Sequence, residues 1–438
     1  MKKSIYYIVC LLFASNVFGQ EIKTLSLKEA MALAEQNSKQ LQLDSLKIQS
    51  LDFKKKQTQN AMLPILGLTT SYTRLSDNID PFTISIPGMG SFEIKTNFPN
   101  QYGNRATIQQ PIFQGLKNWN TMKAIDQQKS AAGMDREKNL QDNKMNVVQG
   151  YYSLYKLQQA KILLDSNIAQ TQVRVNDITK FKNAGLMLNN DVMRAELQKT
   201  NLLVTKADVE STIDIMSYNM CILLGINTNT KIQVEKPEMI NNTTSDMASM
   251  VSSSIQNRAE IKAQTYRDKA ANYAVKASRS AYMPTINAVG NGVYSNPNQR
   301  VFPMEAKFKG TWDVGVSLSW NIMQLYTARA IVGDAKNQKA QLQKATESIK
   351  EGISMEVNAN NEALKVAQLK IDLAEKAIEQ AKENKRILDN RFEAQVALLS
   401  DVLEADQLLL QAQTNLLNAQ ADAAIASYKL ERSINGIK

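Results

Sequence analysis

The chain has 438 residues, a formal net charge of +10, two cysteines and no histidine. Without histidine there is no Ser-His-Asp or Cys-His nucleophile, and the commonest metal ligand is missing. No GxxxxGK[ST] phosphate loop occurs, and the "GMG" at Gly88 and "GNG" at Gly290 lack the strand-turn-helix setting of a dinucleotide site. Lys and Arg are interspersed with Glu and Asp along helical stretches, which marks solvated faces rather than a nucleic-acid surface.

Residues 1–19 read as a cleaved secretory signal. Lys2 and Lys3 precede an apolar run from Ile5 to Phe13, and Val17 and Gly19 are small enough for the −3 and −1 positions, so the mature chain starts near Gln20. An uncleaved anchor is the competing reading, but the run falls short of the roughly 20 residues needed to span a bilayer. After cleavage only Cys221 remains, inside the apolar "MCILLG", where a buried structural thiol is expected.

Two segments resemble each other further on. With an offset of 220, Asn37 meets Asn257, Leu41 meets Ile261 and Pro64 meets Pro284; with an offset of 210, Ile112 meets Ile322, Asp191 meets Asp401 and Val192 meets Val402. This internal repeat predicts two halves, 20–224 and 247–438. Each reads helix, hairpin (about 66–112 and about 286–322), very long helix, break, long helix. A polar segment over 225–246 joins the halves. No proline falls between Pro111 and Pro237 or after Pro303, so both long helices can run uninterrupted.

The segments after Pro64 and Pro284 have period two. In "DVGVSLSWNI", from Asp313, the residues Val314, Val316, Leu318, Trp320 and Ile322 alternate with polar or small ones. "GLTTSYT" from Gly67, "NRATIQQPI" from Asn104 and "NAVGNGVYS" from Asn287 alternate less cleanly. Aromatic residues, among them Tyr72, Tyr102, Tyr294 and Trp312, crowd these regions. Apolar-out, polar-in strands with aromatic ends suit a membrane barrel; a small soluble aromatic core is the competing account. Two hairpins supply four strands, too few to close a barrel, whose smallest forms have about eight. A membrane location therefore requires several chains.

The helices carry heptad seams. From Val402 the seam reads Val402, Ala405, Leu409, Ala412, Leu416, Ala419, Ala423, Ala426 and Leu430; in the preceding helix Ile353, Val357, Leu364, Ala367 and Ile371 repeat likewise. Joined by the short break "NRFEAQVALLSD", the two helices should pack antiparallel.

The repeat, Pro64 and Pro284 before the hairpins, "QPIFQG" from Gln110 and "SDVLEADQLLLQAQTNL" from Ser400 together resemble the TolC-like outer-membrane efflux proteins over the whole mature chain. The resemblance implies a mainly α fold with a small β part. Long antiparallel coiled-coil helices would form a periplasmic tube, and four strands per chain would contribute to a trimeric twelve-stranded outer-membrane β-barrel. It implies a homotrimer in outer membrane lipid, with a long periplasmic portion. Its partners would be a periplasmic adaptor (membrane fusion) protein and an inner-membrane RND or ABC transporter of a tripartite efflux or type I secretion system. Such a duct is passive, with no enzyme activity, no cofactor and no nucleic-acid partner. The competing function is a secreted coiled-coil interaction protein without a pore.

The resemblance also assigns a periplasmic gate. Asp191, Asp401 and Glu404 match the family's acidic gate positions, and rings of Asp401 and Glu404 carboxylates would bind divalent cations weakly. The competing role of these acids is helix capping. The helix breaks, with the adaptor contact, fall at Gly185 and Leu186 and at Gln395 and Val396. The family's glycine at the second break is Gln395 here, and its gate arginine and tyrosine positions hold Ala397 and Phe392. The resemblance therefore leaves the gate to be held by packing in place of that salt-bridge latch.

Overall fold

A computed structural model describes residues 22–76, 78, 80–94, 98–236, 246–434 and 436–437. The expected signal segment over 1–19, and residues 237–245 of the expected linker, lie outside the described residues. As expected, the chain is mainly helical with a small β part. Two helices, sheet strands and two long helices appear in that order twice. The first series is α1 (Leu27–Asn37), α2 (Lys39–Asn60), β2 (Ile65–Arg74), β3 (Phe82–Ile86), β4 (Gly90–Ile94), β5 (Asn100–Phe113), α3 (Lys117–Asn183) and α4 (Asn189–Leu224). The second is α5 (Met247–Asn257), α6 (Ala259–Ser278), β7 (Thr285–Asn296), β8 (Lys309–Ser319), α7 (Gln324–Glu393) and α8 (Leu399–Ile434). Short strands β1 (Ile22–Leu25) and β6 (Lys231–Val234) precede the two series.

The chain divides into two compact units. One contains residues 46–133 and 263–347. Its centre is a four-stranded antiparallel sheet in the order β2-β5-β7-β8. The expected hairpins over about 66–112 and about 286–322 are thus joined by β5–β7 pairing into one sheet. The second ends at Ser319, so Trp320 and Ile322 do not continue the strand as their alternation suggested; Gln324 N–H instead donates to Asn321 O as the chain turns into α7. The segment "FTISIPGMGSFEI" from Phe82, which connects the two strands of the first expected hairpin, is itself a separate hairpin of β3 and β4, with Gly88 and Gly90 at positive φ.

Register fixes what each sheet face carries. The pairs Leu68↔Ala106, Gly292↔Trp312 and Ala288↔Val316 lie on one face, and Thr69↔Arg105, Asn291↔Asp313 and Asn287↔Ser317 on the other. The first face is apolar yet exposed: Leu68 is 80% accessible, Trp312 77% and Val314 74%. Rings gather at one end of it, with Tyr72 to Tyr102 at 5.1 Å and Tyr294 to Phe308 at 5.2 Å between centroids. On the polar face Asp313 accepts from Asn291 at 2.7 Å and from Arg300 at 2.6 Å.

Gly115, in "QPIFQG", turns β5 into α3 at φ +62°, and a Cβ there would stand 2.9 Å from the Ser280 backbone. Both the left-handed conformation and the close approach call for glycine.

The other unit contains residues up to 45, 134–262 and 348–438. Here β1 and β6 pair in parallel, and the core gathers Leu25, Ala30, Val147, Tyr151, Met220, Cys221 and Ile232. Cys221 is fully buried, which pushes its thiol pKa up, and its Sγ donates to Thr230 O at 3.3 Å. Gln158 serves the backbone of β6 with both ends of its carboxamide. Its Nε2 donates to Ile232 O at 2.8 Å, and its Oε1 accepts from Val234 N–H at 3.2 Å.

The heptad seams meet as their spacing dictates. Ile353, Val357, Leu364 and Ala367 of α7 pack with Ala423, Ala426 and Leu430 of α8, and Met250 and Ile261 close the cluster. Beside it Arg258, with its side chain 8% accessible, spans Glu260 at 2.8 Å and Glu356 at 2.6 Å. Arg432 bonds Glu356 at 3.0 Å and pairs with Asp142.

Candidate gate at the helix breaks

The two helix hairpins, α3–α4 and α7–α8, turn by the same hydrogen-bond pattern. At the first, Gly185 N–H donates to Lys182 O and Leu186 N–H to Phe181 O, both at 2.9 Å. At the second, Gln395 N–H donates to Phe392 O at 2.9 Å and Val396 N–H to Arg391 O at 2.8 Å. Each is a Schellman ending, whose turning residue takes the left-handed conformation. Gly185 has φ +72° and Gln395 φ +62°. Glycine adopts this without penalty, whereas glutamine pays roughly 1 kcal/mol for the contact of its Cβ with the following carbonyl. Gln395→Gly should therefore stabilise the second hairpin by about 1 kcal/mol, and Gly185→Ala should destabilise the first by a similar amount. A Cβ at Gly185 meets nothing within 4 Å, so the backbone term acts alone there. Hydrogen exchange of the amides in the last turn of each helix would read both effects. Equal protection in Gln395→Gly and the parent chain would refute the strain.

The breaks leave apolar side chains in water. Leu186 is 57% accessible and Val396 66%, with Leu188 and Leu398 similarly exposed. Just inside, the hairpins share a small core of Val175, Ile178, Val192, Ala195 and Leu399, against which Met187, Phe392 and Leu403 pack. Phe392 thus sits in a packed cluster, and Ala397 is half-buried next to Leu399.

The three expected acids are placed differently. Asp191 lies in the first turn of α4, where its Oδ2 accepts from Leu188 N–H at 3.1 Å, so it does cap its helix. Asp401 lies in the first turn of α8, where its Oδ1 accepts from Ser400 Oγ at 3.2 Å. Both carboxylates face the positive end of a helix dipole, which favours them. Glu404 is exposed, one turn further along α8. Among the described residues no group of three or more Asp, Glu or Cys side chains is placed to hold a metal ion within one chain.

Sequence reasoning missed an ion cluster that joins the hairpins. Arg174 of α3 bonds Asp389 of α7 at 2.8 Å and Asp406 of α8 at 3.2 Å, and Lys385 bonds Asp389 at 3.2 Å and pairs with Asp406. The four side chains are 18–28% accessible, so their charges are only partly screened. Only Lys385 and Asp389, four apart on one helix, leave a trace in the sequence.

Residues 250–436 match the family described as outer membrane efflux protein. Outer membrane efflux protein BepC of Brucella suis biovar 1 (strain 1330) is 21% identical over 340 residues, which cover 74% of this chain and 70% of that protein. Among solved structures CusC has a TM-score of 0.78 at 14% identity, covering 94% of this chain and 92% of its own. The outer membrane protein VceC from Vibrio cholerae has a TM-score of 0.73 at 18% identity, covering 94% and 96%. The open state of the Neisseria gonorrhoeae MtrE outer membrane channel has a TM-score of 0.71 at 17% identity, covering 94% and 89%. At these identities the solved structures share this chain's fold.

Proposed function

We propose that this chain, which belongs to the TolC-like outer-membrane efflux proteins, is the outer-membrane exit duct of a tripartite efflux or type I secretion system. One observation carries the reading: a four-stranded sheet with an exposed apolar face and, among the described residues, no strand on the outer edges of β2 and β8. Open edges are not tolerated in lipid, because unpaired N–H and C=O groups cost several kcal/mol each there. Pairing β8 of one copy with β2 of the next closes the sheet. Three copies give a barrel of twelve strands, an even number within the usual range. The aromatic cluster at Tyr72, Tyr102 and Phe308 then sits at one membrane interface, and the polar face with Asp313 lines the lumen. A water-soluble rod leaves the apolar face without a partner.

The helical hairpins supply the periplasmic part of the duct, and the helix breaks supply its closed end. The exposed Leu186 and Val396, with the turns at Gly185 and Gln395, offer the surface for the tip of a periplasmic adaptor. The adaptor links the duct to an RND or ABC transporter, and the driving energy resides in that pump. Two elements hold the closed end within each chain: the core against which Phe392 packs, beside the half-buried Ala397, and the cluster around Arg174. Asp191 fixes the start of α4, while Asp401 and Glu404 of three copies ring the axis.

Replacing Asp401 and Glu404 with Asn and Gln should weaken block of conductance by a divalent cation such as Mg²⁺ about tenfold in planar bilayers. Neutral rings cannot concentrate the ion. The Asn variant retains its size and an oxygen for Ser400, so folding is spared. Unchanged block in the double variant would remove these residues from the lumen.

A further inference from the structure

We propose that the helix ends flanking the sheet form a cationic seat for the phosphate of anionic phospholipid headgroups, in the leaflet that the helices meet. The proposal rests on the barrel reading above. The flanking segments are residues 53–64, 114–125, 272–284 and 320–333, each directly before or after a sheet strand. Together they carry eight Lys and Arg residues and no Asp or Glu, the nearest carboxylates along the chain being Asp52, Asp126 and Asp334, each one residue outside. Of the eight, only Lys55 has a carboxylate partner among the described residues, Asp126 at 2.7 Å.

Helix stability accounts for part of this arrangement only: Lys276 stands in the last turn of α6, where the dipole favours a cation, but the helix starts do not follow that rule. The N-termini of α3 and α7 favour acids, yet neither has one in its first turn, and α3 opens on Lys117. A basic band at a helix N-terminus gains from an external anion what it loses against the dipole.

The geometry at one point of the band fits a phosphodiester. Lys123 Nζ of α3 lies 5.2 Å from the Trp119 ring centre and 5.7 Å from that of Tyr273; Lys276 Nζ of α6 lies 5.1 Å from the same Tyr273 ring. Two exposed ammonium groups from different helices thus share one ring, and neither has an ion-pair partner among the described residues. Trp119 is 52% accessible, as an amphipathic ring at a headgroup layer would be. Lys123 lies six residues into α3, about 9 Å along its axis, within reach of the headgroups by snorkelling of its stem. The aromatic residues favour the interface over bulk water, and the unpaired cations favour an anionic over a zwitterionic lipid.

The test uses the full-length protein in vesicles, with Trp312→Phe and Trp320→Phe leaving Trp119 as the reporter. Conductance of the same preparation is recorded first. Brominated phosphatidylglycerol should then quench Trp119 with about fivefold higher relative affinity than brominated phosphatidylcholine. Lys123→Gln/Lys276→Gln should abolish that preference, and Lys123→Arg/Lys276→Arg should retain it. Equal quenching by the two lipids from a conducting protein overturns the seat alone, and so does a preference that survives the Gln variant. A Gln variant that shifts the reversal potential in a salt gradient, with lipid preference unchanged, places the lysines in the lumen and also overturns it. A parent protein that does not conduct overturns the duct reading and the seat with it.

Discussion

Arg174→Ala is expected to raise the open probability of the isolated channel in planar bilayers roughly tenfold, which corresponds to about 1.4 kcal/mol between closed and open states. The effect follows from how the charges are shared. Arg174 on the first hairpin answers two carboxylates on the second, Asp389 and Asp406, and Lys385 is the only other cation in the cluster. Removing the guanidinium leaves two partly buried anions sharing one lysine, and the hairpins lose their ionic link. The Phe392 cluster remains, so the tip does not fall apart. Movement of the second hairpin simply becomes less costly. Asp389→Asn and Asp406→Asn should have smaller effects, because each leaves Arg174 one carboxylate. Their effects should fall short of additivity with Arg174→Ala, as expected for residues of one network. If Arg174→Ala closes as tightly as the parent channel, the ion cluster is a structural staple and the gate is held by packing alone.

Arg258→Ala should be the most destabilising of these changes, by roughly 3–5 kcal/mol, because it strands carboxylates that a buried cation had compensated. Arg258 holds Glu260 at 2.8 Å and Glu356 at 2.6 Å; Glu356 keeps its bond to Arg432, whereas among the described residues Glu260 keeps only the more distant attraction of Arg432. Burial pushes the Glu260 pKa up, but the bonds from Arg258 and from its own backbone outweigh burial and hold it below the ordinary 4.5. A depressed carboxylate contributes stability above its unfolded value and loses it as pH falls through its folded value. The gap between parent and variant should therefore be full above pH 4.5 and narrow below it. Thermal melts followed by far-ultraviolet circular dichroism in detergent, at neutral pH and near pH 3, would read both. A gap that widens in acid would contradict the assignment of the shift to Arg258.

The legible parts of the fold were those whose signal is local. Val314, Val316 and Leu318 alternate over enough residues to declare a strand and its apolar face, and the spacing from Val402 to Leu430 declares a seam that α7 does bury. The hairpin at Phe82 had a signal, the Pro87-Gly88 turn between alternating residues, which loop composition masked. Strands β1 and β6 had none, since four residues each, far apart in the chain, pair only because the core brings them together. The helix breaks were legible as far as their punctuation. Gly185 announces a left-handed ending, and Gln395 takes the same conformation although its residue type argues against it. The link through Arg174 joins residues more than two hundred positions apart, and no local pattern reports such a pairing.

The account depends most on the closing of four strands per chain into one shared barrel. Single-particle electron microscopy of the full-length protein, extracted from membranes in detergent, tests this directly. The account predicts a three-fold particle in which β8 of each copy pairs with β2 of the next, inside the detergent belt. A monomeric or dimeric particle, released in water without detergent and with β2 and β8 unpaired, would contradict it.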